Sequence, residues 1–162
     1  MTEDRPIFLG LDLGTSAVKA VLVDADNRII DSRSTPLSVS RPQQGWSEQD
    51  PEAWWQAADL AVRNLATSHP GEMAAVTGIG LSGQMHGLTA LDASDAVLRP
   101  AILWNDTRSA PQATHLDKDH SAFRQVGGNA VMPGFTAPKA VWMAAAEPEL
   151  FRQIGTILLP KD

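Results

Sequence analysis

The chain has 162 residues, of which 43% are hydrophobic and 20% are charged, and its formal net charge is −6. This composition is that of one ordinary globular domain, which excludes a disordered chain, and the acidic balance argues against a basic nucleic-acid-binding surface. The sequence contains no cysteine, which excludes disulfides, thiolate catalysis and cysteine-ligated zinc.

Two apolar runs near the start predict strands at 7–12 and 17–24, separated by a small polar turn. Asp12 ends the first strand, and a loop follows whose backbone N–H groups and hydroxyls could face an anion; its residues are Gly14, Thr15 and Ser16. Lys19 could reach the same anion. A carboxylate beside such a loop suggests Mg²⁺, held by Asp12 through water, and nucleotide phosphates held by the loop. The alternative is an ordinary β-hairpin in which Gly14 serves only the turn.

The following segments predict a third strand at 28–36, then a polar connection at 38–50 and a long helix. Asp50-Pro51-Glu52 has the features of a helix start, namely an N-cap candidate, a proline and an acid in the first turn. Apolar residues at helical spacing continue to about Ser68, where His69-Pro70-Gly71 should stop the helix. The later predicted elements are strands at 74–81, 88–91 and 156–159 and helices at about 107–116, 123–126, 138–146 and 148–153.

This order of elements predicts an α/β fold of the ribonuclease H-like (actin/hexokinase-like) type, with a mixed sheet and flanking helices. No apolar run along the chain is long enough to span a bilayer, and the polar start has no signal-peptide pattern. Together with the absence of cysteine and the acidic net charge, these features lead us to expect a cytoplasmic protein with no membrane partner and no nucleic-acid partner.

Five motifs together resemble the FGGY carbohydrate kinase family, and the resemblance runs in order from about residue 7 to residue 162. The motifs are Leu11-Asp12-Leu13-Gly14-Thr15-Ser16, Trp46-Ser47-Glu48-Gln49-Asp50-Pro51, Gly83-Gln84-Met85-His86-Gly87, Ala101-Ile102-Leu103-Trp104-Asn105-Asp106 with Arg108, and Pro133-Gly134-Phe135-Thr136-Ala137-Pro138-Lys139. The first motif alone would fit many ATPases. The Met85-His86 pair, which is flanked by Gly83 and Gly87, is more specific to the family. The resemblance implies an ATP- and Mg²⁺-dependent sugar kinase, with D-xylulose as the expected sugar and D-xylulose 5-phosphate as the product.

The resemblance also implies roles for the phosphate-loop residues. Asp12 would support the metal and the phosphates. The residues expected to face the phosphates of ATP are Gly14, Thr15, Ser16 and Lys19.

For the sugar, the resemblance implies contacts from Met85 and His86, because an imidazole supplies directed hydrogen bonds and methionine an adaptable apolar wall. The next expected sugar-contacting residues are Trp104, Asn105 and Asp106, near Arg108. An equal alternative is that Trp104 belongs to the core and Asp106 is an N-cap paired to Arg108. The motif that contains Phe135, Thr136 and Lys139 is expected to serve helix entry and packing.

Members of the family are far longer, with two actin-like domains and an active site between them. Their general base is an aspartate later in the first domain, so in this numbering it would lie beyond Asp162. We therefore expect residues 1–162 to be the N-terminal part of the first domain, an incomplete domain that is inactive alone. Apolar surface left open in such a part would favour self-association.

Two other interpretations stay open at the level of the sequence. The chain could belong to another FGGY kinase, acting on ribulose, glycerol or gluconate, although the Met85-His86 pair argues against glycerol. It could also be a non-catalytic actin-like module that binds a nucleotide or regulates a partner without turnover.

Overall fold

The structure, a computed structural model, describes residues 5–162 and divides into two units. The first unit contains the described residues up to Ser38, together with Glu52–Gln84 and Lys161. The second unit contains Val39–Pro51, Met85–Pro160 and Asp162.

The described chain contains eight strands and six helices. The strands are β1 (Ile7–Leu13), β2 (Ala17–Asp24), β3 (Ile29–Pro36), β4 (Glu48–Gln49), β5 (Val76–Gly83), β6 (Thr89–Leu91), β7 (Ala101–Ile102) and β8 (Thr156–Leu158). The helices are α1 (Pro51–Ser68), α2 (Pro70–Ala74), α3 (Ala110–Asp119), α4 (Ala122–Gly127), α5 (Thr136–Ala146) and α6 (Pro148–Phe151).

A four-stranded mixed sheet with the order β3-β2-β1-β5 forms the first unit. Strand β1 pairs antiparallel with β2 and parallel with β5. Side chains alternate between the two faces of a strand, so one face of the sheet carries apolar residues that pack against α1. The buried members of this core are Leu9, Ala20, Leu22, Ala61 and Leu65. The prediction of a mixed sheet with a flanking helix is thereby confirmed for this unit.

The opposite face of this sheet is open and apolar. Phe8 exposes 43% of its surface there, and the strand register places Gly10, Gly78 and Gly80 on the same face. Ile79 and Leu81 are also exposed, but they stand beside Leu9 and Leu11 on the other face, at the edge strand β5. Because glycine has no side chain, the middle of this face is shallow.

The second unit is built on two short antiparallel pairs, β4 with β7 and β6 with β8. A further antiparallel bridge joins Leu88 to Ile102. These two residues are buried with Ala90 and Met143, so α5 packs directly on the β6 and β7 segments. A smaller apolar cluster, which contains Ala113, Leu116 and Val131, lies beneath α3.

Three sequence predictions about element boundaries were wrong. His69-Pro70-Gly71 ends α1 but also begins α2, because proline suits the first turn of a helix, and the next strand therefore starts at Val76. The segment 38–50 is not only a polar connection, since it contains β4. Helix α3 begins at Ala110, with Ser109 and not Asp106 in the N-cap position, while the Asp106 carboxylate binds Arg108.

Between residues 5 and 162, no helix is both long and apolar enough to cross a membrane.

Candidate functional site

Asp12 lies at one end of the open face of the first unit's sheet. In the strand register it stands beside Lys19 of β2 and Ser82 of β5, and residues paired in this way share a face. All three line a depression of about 300 Å³. The Asp12 and Lys19 side chains are exposed, and neither makes a hydrogen bond or ion pair within residues 5–162. The predicted carboxylate and lysine are therefore open to a ligand on the same face.

The loop after Asp12 closes the β1–β2 hairpin. The N–H of Gly14 donates to the carbonyl of Ala17 at 3.0 Å, so this N–H group is used by the turn. A Cβ on Gly14 would lie 3.0 Å from the same oxygen, which explains the glycine. The Thr15 hydroxyl donates to Oε1 of Gln84 at 3.0 Å, while Ser16 is exposed. The loop is therefore a hairpin turn that uses the N–H of Gly14, and a phosphate-facing role for Gly14, Thr15 and Ser16 stays a prediction.

The donor set around Asp12 fits a magnesium ion that keeps most of its own water. Within the described residues, no group of three or more His, Cys, Asp or Glu side chains could hold a metal ion. Mg²⁺ in phosphoryl-transfer sites usually takes one or two carboxylates and completes its shell with water and phosphate oxygens. A single carboxylate at Asp12 is compatible with that pattern.

Strand pairing in the second unit brings the two predicted sugar-contacting segments to the same end of the paired strands. One segment contains Met85 and His86, and the other contains Trp104 and Asn105. The N–H and carbonyl of Leu88 and Ile102 exchange hydrogen bonds of 2.9 and 3.0 Å in an antiparallel bridge. Because the strands run in opposite directions, the residues before Leu88 lie beside those after Ile102. Met85 and Trp104 expose 56% and 44% of their surface at this end. An open apolar pair of this kind suits the C–H surface of a sugar.

His86 is held in a left-handed backbone conformation, with φ of 59°. Its imidazole packs on the Phe135 ring with 4.5 Å between the ring centroids. Its carbonyl oxygen accepts a hydrogen bond of 2.6 Å from Nζ of Lys139 and one of 3.3 Å from the hydroxyl of Thr136. The start of α5 therefore holds both the ring and the backbone of the predicted sugar-contacting histidine.

The carboxylate of Asp106 is buried and bound within the protein. Its side chain accepts hydrogen bonds of 2.6 Å from the N–H of Ser47 and 2.7 Å from Nη2 of Arg108, and the residue is 1% exposed. This agrees with the alternative in which Asp106 pairs with Arg108, except that Asp106 does not cap a helix. Asn105, one residue before it, is exposed.

Arg108 is the centre of a buried ion-pair network in the second unit. Its Nη1 lies 2.7 Å from Oε1 of Glu48, an ion-pair contact without hydrogen-bond geometry. Its guanidinium also stacks over the Trp46 ring at 3.6 Å from the centroid and lies 5.0 Å from that of Trp142. Arg99 binds Glu48 as well, so two arginines share one carboxylate. The network fixes the segment that carries Trp104 and Asn105.

Sequence reasoning expected Lys139 only to help α5 begin and pack, and the structure shows more. Lys139 is 0% exposed, and its Nζ binds the carbonyls of both His86 and Gly134 at 2.6 Å. One signal could have revealed it, because Lys139 is the single charged residue within α5. A lone lysine among alanines and other apolar residues is unusual in a helix that packs on a core.

The titration of Lys139 should make stability depend on pH. Burial lowers the pKa of Lys139 from 10.5 to about 8; Asp106 raises this pKa and Arg108 lowers it. Between these pH values the unfolded chain binds more protons than the folded chain, so the free energy of unfolding rises with pH. We expect a slope of up to about 1.4 kcal/mol per pH unit relative to Lys139→Met.

Urea unfolding between pH 7 and 10.5 measures this difference. Lys118→Met, the same change at an exposed position of α3, is the matched control and should follow the parent chain. Parallel stability curves for the parent chain and Lys139→Met would contradict the prediction.

Comparison with known proteins places the chain among sugar kinases. Residues 7–162 match the N-terminal domain of the FGGY family of carbohydrate kinases. The chain is 50% identical over 156 residues to the xylulose kinase of Escherichia coli (strain K12), a match that covers 96% of the chain and 32% of that protein. The chain thus spans about a third of the length of the curated relatives it matches.

Solved structures agree with this comparison and with the predicted fold. A crystal structure of a xyloylose kinase from Brucella ovis matches with a TM-score of 0.94 and 57% identity, over 96% of this chain and 33% of that one. The xylulose kinase structure from Rhodospirillum rubrum matches with a TM-score of 0.90 and 32% identity, over 96% and 32% of the two chains. The predicted actin/hexokinase-like α/β fold class is confirmed.

Proposed function

The chain belongs to the FGGY family of carbohydrate kinases, and on that premise we propose that it is part of an ATP-dependent kinase that converts D-xylulose to D-xylulose 5-phosphate. The observation that carries the proposal is the similarity to a xylulose kinase, at 50% identity, across 96% of the chain. The two sets of exposed groups, one in each unit, supply chemistry that such a reaction needs.

In this proposal the first unit serves the phosphates and the metal. Asp12 would hold Mg²⁺, largely through water, and the ion would neutralise charge on the phosphate oxygens of ATP. Lys19 stands beside Asp12 in the register and would contribute a positive charge to the same face. From the loop, the exposed Ser16 would offer its hydroxyl to a phosphate, and Gly14 and Thr15, whose N–H and hydroxyl form hydrogen bonds within the protein, would also shape the turn.

The second unit would contribute to the sugar pocket. Met85 and Trp104 would provide apolar contacts, and His86 and Asn105 would provide hydrogen bonds to hydroxyl groups. Asp106, which is buried against Arg108, would act by holding this segment in place.

Residues 1–162 would form the N-terminal part of the first kinase domain, in a cytoplasmic enzyme. We also propose that the general base is not among these residues and that the chain by itself does not phosphorylate a sugar. Self-association through the open apolar face of the first sheet stays a prediction.

A hybrid kinase tests this function directly. Residues 7–162 would replace the matching segment of the Escherichia coli xylulose kinase, which serves as the positive control. We expect the hybrid to form ADP in the presence of D-xylulose, ATP and Mg²⁺, and the isolated 162-residue chain to form none. A hybrid that folds, as judged by circular dichroism and thermal unfolding, but leaves D-xylulose unphosphorylated would contradict the proposal.

The same assay separates the other candidate functions. A panel of ribulose, glycerol and gluconate would reveal another FGGY specificity as a higher kcat/KM for one of these sugars. The hybrid could also fold but turn over none of these sugars. If the isolated 162-residue chain then still binds ATP, a non-catalytic nucleotide-binding module is favoured.

A further inference from the structure

We propose that Lys139 is a positioning residue for the sugar site, whose side-chain nitrogen holds the left-handed turn at His86 against the start of α5. The proposal rests on the proposed function in so far as His86 contacts the sugar. It assigns Lys139 a role beyond helix entry and packing.

The contact between Lys139 and the turn is short and buried. Nζ lies 2.6 Å from the carbonyl oxygen of His86 and 2.6 Å from that of Gly134. One side chain therefore ties two backbone segments that are far apart in sequence. Hydrogen bonds from a charged donor are stronger than those between neutral groups, so Lys139 contributes more than the 3.3 Å bond from Thr136 to the same His86 oxygen.

The turn at His86 needs stabilising contacts because His86 has a φ of 59°. Side-chain-bearing residues rarely adopt this conformation, and they keep it only where the surroundings enforce it. Its carbonyl oxygen receives two donors from α5, and its ring packs on Phe135. If Lys139 were lost, the peptide after His86 could rotate and the imidazole would leave its position.

The segment held by Lys139 also supports the second sugar-contacting segment. A Cβ on Gly134 would lie 2.3 Å from the carbonyl oxygen of Trp104, so Gly134 packs directly on that backbone. Lys139 binds the carbonyl of Gly134 itself. A single nitrogen thereby sets the spacing between the turn at His86 and the backbone of Trp104.

Packing alone does not explain a lysine at this position. Burial disfavours the charged form of an amine, and a methionine could fill much of the same volume without that cost. Burial lowers the pKa of Lys139 to about 8, so keeping the buried amine in its charged form costs folding free energy. Two well-placed acceptors and the neighbouring Asp106 offset the cost only if the amine stays in contact with the turn.

The first test uses the 162-residue chain labelled with ¹⁵N-lysine and ¹⁵N-histidine. We expect the Nζ resonance of Lys139 to be resolved from that of the exposed Lys118 and to show slow proton exchange. Lys139→Met should shift the ring and amide resonances of His86, whereas Lys118→Met should leave them unchanged. A Lys139 resonance with the exchange rate of Lys118 would overturn the proposal, and this measurement needs no variant to fold.

The second test uses kinetics of the hybrid kinase. Lys139→Met should raise KM for D-xylulose by about tenfold to a hundredfold, as expected for a displaced binding group, and leave KM for ATP within about twofold. Thr136→Val, which removes the longer bond to the same carbonyl, should raise KM for D-xylulose less. Equal changes in both KM values, or no change in KM for D-xylulose, would overturn the proposal.

Failure of the positioning role can be distinguished from failure of the proposed function. If the unsubstituted hybrid does not act on D-xylulose, the proposed function is wrong, while the resonances of Lys139 and His86 still decide whether the turn is held. If the hybrid is active but the Lys139 amine exchanges freely, only the positioning role is wrong.

Discussion

Asp12→Asn in the hybrid kinase is expected to lower kcat by roughly a hundredfold to a thousandfold, the size typical of losing one charge-stabilising group in a transition state. The substitution keeps the side-chain volume but removes the negative charge that would hold Mg²⁺. The requirement for Mg²⁺ should therefore shift to higher concentration. KM for D-xylulose should change little, since the predicted sugar contacts belong to the other unit.

A matched control for this substitution lies in the same sheet. Asp26→Asn makes the same chemical change in the β2–β3 turn, where the carboxylate forms exposed ion pairs with Arg5 and Arg28. Exposed pairs contribute little, so this variant should keep the parent kcat. Equal kcat values for the parent hybrid and Asp12→Asn, measured with saturating D-xylulose over a Mg²⁺ titration, would rule out the proposed role of Asp12.

Arg108→Met is expected to lower the free energy of unfolding of the 162-residue chain by about 3–5 kcal/mol, the usual cost of removing one partner from a buried ion pair. Methionine replaces much of the aliphatic stem, so the loss comes mainly from the charge. Asp106 would lose its hydrogen bonds from Nε and Nη2, and Glu48 would lose one of its two arginines. The stacking of the guanidinium on Trp46 would also disappear.

The measurement is urea unfolding followed by tryptophan fluorescence and by far-ultraviolet circular dichroism. Arg63→Met is the matched control, because Arg63 pairs with Asp59 on the surface of α1 with side-chain exposures of 75% and 43%. That variant should cost less than about 1 kcal/mol. If both variants lose the same stability, the buried network does not stabilise the second unit in the way described.

Local patterns in the sequence were sufficient for much of the fold. The first three strands and the long helix were predicted close to their observed bounds, because alternating and helical periodicities are repeated over many residues. Asp50-Pro51-Glu52 marked the start of α1 correctly. The error at α2 arose because proline both ends one helix and begins the next.

The candidate site was less predictable, because its details depend on partners far away in the chain. Asp106 binds the N–H of Ser47, 59 residues earlier, and Lys139 binds the carbonyl of His86, 53 residues earlier. Neither partner can be identified from the residues that neighbour Asp106 or Lys139 in the sequence. The sequence therefore leaves Asp106 between a sugar contact and a pairing with Arg108, and it predicts only helix entry and packing for Lys139.

The sequence by itself determined the family, the mixed sheet and the position of Asp12 near the end of the first strand, because motif order and strand periodicity are properties of neighbouring residues. Only the tertiary structure decided which polar groups are free and which are used inside the protein. It assigned the Gly14 N–H to the hairpin, the Asp106 carboxylate to Arg108, and the Lys139 amine to the turn at His86. The reason is that a buried polar group must find a partner, and folding alone determines which partner is within reach.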